Sequence, residues 1–204
     1  MSRRARPSFT GRFAGVAVGA WAAISLLAGA SLMVSHWTVL PKPDVDDPAF
    51  TEQLNGLRTA QDDQQWVVVH VLYSRCSCSQ RVFDHLFDEQ RPAGAHERIL
   101  LVEADPAIER RAAARGFSVK IVTRAELKNE FHIEAAPMLI VIDPQGSVRY
   151  AGGYTDRKQG FEFRDTAIVK ALADGGDPAE LPLFGCGVSE ELQQALDPFR
   201  LKYG

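Results

Sequence analysis

The sequence predicts an α/β domain held outside a membrane by one N-terminal helix. Three stretches carry this expectation. Residues 13–35 hold no charge and are long enough to span a bilayer as a helix. Residues 66–88, WVVVHVLYSRCSCSQRVFDHLFD, read as a buried β run that passes through a short polar turn into an amphipathic helix. Residues 131–155, FHIEAAPMLIVIDPQGSVRYAGGYT, read as a helix end, an apolar strand, a turn and a second strand.

The N-terminal run sets the topology. Arg3, Arg4, Arg6 and Arg12 precede it, and only His36, Lys42, Asp44, Asp46 and Asp47 follow closely. Positive charge stays on the cytoplasmic side. Residues 1–12 are therefore expected as a cytoplasmic basic tail, 13–35 as the transmembrane anchor, 36–47 as a linker and 48–204 as the folded domain outside. Trp37 would sit at the outer interface. Ala28-Gly29-Ala30 also resembles a signal-peptide cleavage site. The apolar run continues past it through Leu32, Met33 and Val34, so the helix reads as a retained anchor. The expected location is a bacterial inner membrane crossed once, with the domain in the oxidising periplasm. Leu40-Pro41-Lys42-Pro43-Asp44 reads as a stiff polar linker. About 165 residues remain, which suits one domain. A net charge of −3 gives no electrostatic footprint for nucleic acid.

Within the domain, residues 50–59 read as a first helix and 66–73 as the central strand. Residues 78–89 read as a helix, with Val82, Phe83, Leu86 and Phe87 on one face. Then follow a strand over 98–102, a helix over 107–115 stopped by Gly116, a short strand over 117–122 and a helix over 125–131. Strands over 138–142 and 148–151 flank the turn Asp143-Pro144-Gln145-Gly146. Residues 165–173 read as the last core helix. Ser189 is a plausible N-cap for a further helix with Glu190 and Glu191 in its first turn.

The chemistry lies in the cysteines. Cys76 and Cys78 occupy the turn between strand and helix, where backbone N–H groups and the helix dipole favour a thiolate. Arg75 adds a positive charge next door. Cys76 is therefore expected to ionise below the ordinary thiol value of about 8.5, with Cys78 a step into the helix and less exposed. Cys186 sits between Gly185 and Gly187 in a segment expected to be mobile. It reads either as a resolving thiol that swings to Cys76 or Cys78, or as a lone cysteine filling a loop. Ala136-Pro137, opening a strand, is a candidate cis-proline.

These blocks resemble the thioredoxin superfamily over roughly residues 48–175, and the resemblance implies a thioredoxin-like three-layer sandwich. Cys76 falls on the family's first cysteine, Pro137 on its cis-proline and Gly152-Gly153 on its glycine turn. Residues 106–123 then look like an insertion, and the Cys186 segment like an appendage. The family's second cysteine is Ser79 here, so the dithiol does not carry over. Either Cys76 pairs with Cys78 across one residue, or it acts with a distant partner. His70, six residues before Cys76, stands where the family often has a buried acid; it reads as a relay or as a satisfied core histidine. His132 reads as a rim residue or a helix-end surface residue, and His85 as lying on the helix flank.

The resemblance implies a membrane-anchored thiol–disulfide oxidoreductase acting on protein thiols or disulfides, with no cofactor and an unidentified redox partner. Cys76 would attack, Cys78 or Cys186 would resolve, and Ala136 and Pro137 would hold the substrate as an added strand. One alternative is a copper chaperone that clamps a soft ion between Cys76 and Cys78; no histidine follows His132, as Sco-type chaperones would require. A peroxidase is disfavoured, because Tyr73 and Arg75 stand where peroxiredoxins carry a hydroxyl three residues before the reactive cysteine. A thioredoxin-like binding module that has lost redox activity is the remaining alternative.

Overall fold

Val67–Tyr73 are buried almost completely, and this run is the middle of the sheet. A computed structural model describes residues 9–89, 91, 94–201 and 203; at 9–12, 31, 32 and 34–37 it describes the backbone only. Arg3, Arg4 and Arg6 lie outside the described residues, as do the side chains of Arg12, His36 and Trp37. The chain divides into two units, residues 1–38 with 194–204, and residues 39–193.

In the first unit, α1 (Phe9–Trp37) contains a stretch, Phe13–Ala30, long and apolar enough to cross a membrane by length and composition. Its Val16, Trp21, Ile24 and Leu26 side chains are exposed, as a lipid-facing helix requires.

The second unit begins with α2 (Pro48–Asn55), which starts where Asp47 accepts the Ala49 N–H and Pro48 needs no partner for a missing one. A five-stranded sheet follows: β1 (Trp66–Tyr73), β2 (Ala95–Val102), β3 (Ser118–Val122), β5 (Met138–Ile142) and β6 (Val148–Gly152), in the spatial order β3-β2-β1-β5-β6. β1, β2 and β3 are mutually parallel, while β5 and β6 run antiparallel. The connecting helices are α3 (Ser77–Asp88), α4 (Pro106–Ala114), α5 (Arg124–Asn129) and α6 (Asp165–Ala173). A separate two-stranded sheet joins β4 (Ala135–Ala136) to β7 (Cys186–Gly187), and α7 (Glu190–Leu196) follows it.

The strands alternate their side chains between two helical layers. On one face Val68, Leu72, Ile99, Leu101, Leu139 and Val141 pack with Phe83 and Leu86 of α3, Ile108 of α4 and Ile168 and Leu172 of α6. On the other face Val69 and Leu100 share a cavity with Leu57, just beyond α2. Lys120, the β3 partner of Leu100, caps the Phe131 ring at 5.3 Å after α5. Helix, sheet and helix make three layers. With the cysteine turn after β1 and a proline opening β5, this is the thioredoxin-like arrangement.

Several boundaries differ from the sequence expectation. The first helix ends at Asn55, because Thr59 instead caps a 3-10 turn over Ala60–Asp62. β2 starts at Ala95, three residues early. Its polar His96 and Glu97 are paired, His96 with Asp62 at 2.8 Å and Glu97 with Nε and Nη2 of Arg91, each at 2.8 Å. Residues 106–123 supply α4 and the edge strand β3. The expected 36–47 linker is not free along its length. Leu40 is buried, and its N–H donates to the Leu183 carbonyl at 2.9 Å.

Candidate active site: three convergent thiols

Antiparallel pairing builds the site. Val71 of β1 pairs with Met138, the first residue of β5. Pro137 therefore lands beside the turn that leaves β1, and the Ala136–Pro137 bond is cis. That turn ends at Cys76, which is the N-cap of α3, and the Gln80 N–H closes the first helical bond on its carbonyl at 3.0 Å. The Cys76 thiol donates a weak bond to the Ala136 carbonyl at 3.8 Å. Cys186 lies opposite Ala136 in the β4–β7 ladder. Cys186 and Cys78 both lie beside the Cys76 thiol, near enough to shift its ionisation. The sequence places these cysteines up to 110 residues apart; the fold brings all three into one cluster, as thiols.

The electrostatics differ from the sequence expectation. Cys76 is 1 % exposed, and Cys78 is the half-buried thiol. The Cys186 hydrogen bond and the Ser79 backbone N–H favour a Cys76 thiolate, but the bond to Cys78, burial and repulsion from Cys78 outweigh them. The Cys76 pKa is raised, not lowered. Arg75 does not offset this. Its side chain is mostly exposed and pairs with Glu103 at 2.8 Å. Ser79, at the family's second-cysteine position, is fully buried and has a structural role: its Oγ accepts the Tyr73 N–H at 3.0 Å where β1 ends.

The segment around Cys186 is packed in place. Leu183, Cys186 and Val188 are buried. Gly185 is present for close approach, since a Cβ there would lie 2.0 Å from the Ala136 carbonyl oxygen. Gly153 has the same function, with Pro182 O at 2.0 Å from such a Cβ. Beside Cys78 a cavity of about 30 Å³ is lined by Val82, Pro137, Tyr154, Phe163 and Phe184. A wider cleft of about 480 Å³, lined in part by Asp62, His96 and Arg98, contains no cysteine. Among the described residues no group of three or more His, Cys, Asp and Glu side chains is arranged to hold a metal ion.

Residues 47–161, more than half of the chain, match the model of a family described as a domain of unknown function, DUF6436. The chain belongs to the DUF6436 family. The match takes in Cys76, Cys78 and Pro137 and ends before Cys186. A comparison with curated proteins finds no match. Among solved structures, the DUF6436 chain is similar to an uncharacterized conserved protein from Geobacillus kaustophilus, at 17% identity over 63% of this chain and 78% of the other, with a TM-score of 0.49. It is similar to a hypothetical protein from Sinorhizobium meliloti 1021, at 16% identity over 75% and 91%, TM-score 0.45. A thiol-disulfide isomerase from Corynebacterium glutamicum matches at 16% identity over 70% and 94%, TM-score 0.41.

Beneath the thiols the DUF6436 domain holds a buried polar chain that the sequence hardly reveals. His70 is fully buried, with Nδ1 2.8 Å from Tyr154 Oη and Nε2 3.9 Å from Glu97. Arg91 bridges Glu97 to Asp165 at 2.7 Å, and Asp165 meets His85 Nε2 at 2.8 Å. His70 is thus a core histidine paired at Nδ1 while its Nε2 makes no hydrogen bond among the described residues, and Tyr154, its partner, also lines the Cys78 cavity. His85 is buried and stacked on Phe163 at 4.2 Å, not lying on an open flank. His132 is exposed with φ +54°. Histidines at 70 and 85 facing apolar neighbours were the available signal; their partners, Asp165 and Glu97, lie too far along the chain to be read.

This chain of charges predicts a pH signature. Burial disfavours the His85 imidazolium, but Asp165 and Glu89 outweigh it and its pKa is raised. Burial likewise opposes the Asp165 carboxylate, but His85 and Arg91 hold its pKa well below the usual range. The His85 contribution is complete below its unfolded value of about 6.5 and fades as pH rises through the raised folded value. The Asp165 contribution is complete above its unfolded value of about 3.9 and fades as pH falls towards the depressed folded value. The melting-temperature gap between the wild type and His85→Gln should be widest between about pH 4 and pH 6.5 and narrower at pH 8. A gap independent of pH would show that His85 is not held as a cation.

Proposed function

We propose that the domain performs thiol–disulfide exchange on proteins outside the cytoplasm, anchored in a bacterial inner membrane by α1. The observation that carries this reading is the position of Cys76. It sits at the N-terminus of α3, beside the cis Ala136–Pro137 bond and next to both other thiols, so either of them can pair with it. The uncharged stretch of α1 supports the anchor, and an oxidising compartment supports the use of disulfides.

In the reductive direction the Cys76 thiolate attacks one sulfur of a substrate disulfide. That S–S bond breaks, and the departing substrate thiolate takes up a proton. The mixed disulfide so formed is attacked by the Cys186 thiolate at the Cys76 sulfur, which releases the second substrate thiol. A Cys76–Cys186 disulfide remains, and two electrons have passed to the substrate. A dithiol reductant returns the pair to thiols; the reverse sequence oxidises substrate thiols. Ala136 and Pro137 hold the substrate chain beside Cys76. Cys78 tunes the attacking group, since its hydrogen bond and charge both raise the Cys76 pKa.

The test uses single-cysteine replacements, with exchange followed on a disulfide-bonded peptide. Cys76→Ser should abolish exchange, and Cys186→Ser should trap a mixed disulfide on Cys76. Cys78→Ser should shift the pH midpoint of Cys76 alkylation downwards. Retained exchange in Cys76→Ser would move the attack to Cys78 or Cys186, and no exchange by the wild type would remove the oxidoreductase reading and leave a binding role.

A further inference from the structure

We infer that the segment Leu181–Ser189 is a built-in occupant of the edge at Ala135–Ala136, and that it must leave before Cys76 can meet any outside molecule. The closed arrangement is a geometric fact about this chain; its purpose rests on the thiol-exchange reading above.

The segment is tied down in the way an added strand is tied. Ala136 pairs with Cys186, and Ala135 with Gly187. The Val188 N–H donates to the Glu134 carbonyl at 2.7 Å, and the Ser189 hydroxyl bonds to the Glu134 carboxylate. Upstream, the Gly153 N–H donates to Leu181 O at 3.1 Å and the Leu181 N–H to Tyr150 Oη at 3.2 Å. Main-chain bonds of this kind give affinity, and pockets for alternate side chains give selectivity. The pockets are filled here: Leu183 and Val188 are fully buried, and Cys186 points its thiol at Cys76. Beneath them Cys76 is 1 % exposed, so no protein disulfide reaches it in line.

The closure is nevertheless local. The regular part is a two-residue strand, and residues 176–184 before it have no regular secondary structure. A segment with so little regular structure over one thiol can open locally without the main sheet. The close contact also specifies what can take its place. The residue before Cys186 meets Ala136 O and Pro137 Cδ so closely that a Cβ would lie 2.0 and 2.7 Å away. A partner on this edge is therefore an extended peptide segment with glycine immediately before its cysteine. The thiols thus respond to a competing strand and stay shut without one.

The test is peptide-mapped alkylation by iodoacetamide on the full chain in detergent, which reports each cysteine separately. In the wild type Cys78 should react first, with Cys76 and Cys186 protected. Gly185→Val forces the segment off Ala136 O without touching a cysteine. It should raise Cys76 and Cys186 alkylation roughly ten- to hundredfold, with Cys78 nearly unchanged. Glu134→Ala with Ser189→Ala, which inserts no bulk, should raise Cys76 alkylation by a smaller factor and covers the case in which the valine variant does not fold. Unchanged Cys76 protection in the folded variants overturns the gate. Faster alkylation with no exchange on a disulfide peptide in any form keeps the gate and removes the exchange reading.

Discussion

Asp165→Ala should destabilise the domain by about 3–5 kcal/mol, because it removes the carboxylate shared by two buried cations. The Asp165 side chain is fully buried and is the shared acceptor of Arg91 at 2.7 Å and His85 at 2.8 Å. Alanine removes the anion and leaves, among the described residues, Arg91 with Glu97 alone and His85 with Glu89 alone. His85 can shed its proton, but Arg91 cannot, so the larger part of the cost falls on Arg91. Asp165 also stands in the first turn of α6, where a negative charge suits the helix dipole. Urea unfolding of the variant should show a lower midpoint at unchanged slope. A loss below about 1 kcal/mol would mean that water replaces the carboxylate. Replacing Asp165, His85, Arg91 and Glu97 together by apolar residues of similar volume should cost less than Asp165→Ala alone.

Phe83→Ala should cost a similar amount, about 3–5 kcal/mol, for a different reason. Phe83 is fully buried on the sheet-facing side of α3 and stacks against Phe87 at 5.8 Å. Its removal leaves a cavity between helix and sheet that the close-packed strands do not fill. The same helix carries Cys76 as its N-cap, so the loss extends to the site. Calorimetry should show the lower melting temperature, and peptide-mapped alkylation a modest loss of Cys76 protection. Retained protection at a lowered melting temperature would place the damage away from the N-terminus of α3.

The parts of this molecule that are local in sequence were legible from it. β1, β5 and α6 lie where the apolar runs and their flanking turns put them. Ser189 opens α7, its hydroxyl accepting the Leu192 N–H at 3.2 Å. What the sequence hid is set by partners far along the chain. Arg75 reads as a charge for Cys76, yet Glu103 takes it. The helix dipole at Cys76 is present and Cys186 also favours the thiolate, but Cys78 and burial outweigh them. Gly185 and Gly187 read as freedom of the backbone, because a sequence does not show that Gly185 lies against Ala136 O. The early start of β2 depends on Asp62 and Arg91, which neutralise residues that look unsuited to a strand.

One contact made before α2 bears on how this domain is handled in the laboratory. The Leu40 N–H, only three residues beyond the end of α1, donates to Leu183 in the segment that shuts over Cys76. The polypeptide leaving α1 and the cover of the thiols are thus laced together at one peptide group. A truncated form beginning at residue 45 would discard that lacing and give thiols more reactive than those of the intact chain. A form beginning at residue 39 keeps it. Thiol reactivities measured on the two truncations would therefore differ, although every cysteine and the whole sheet are common to both.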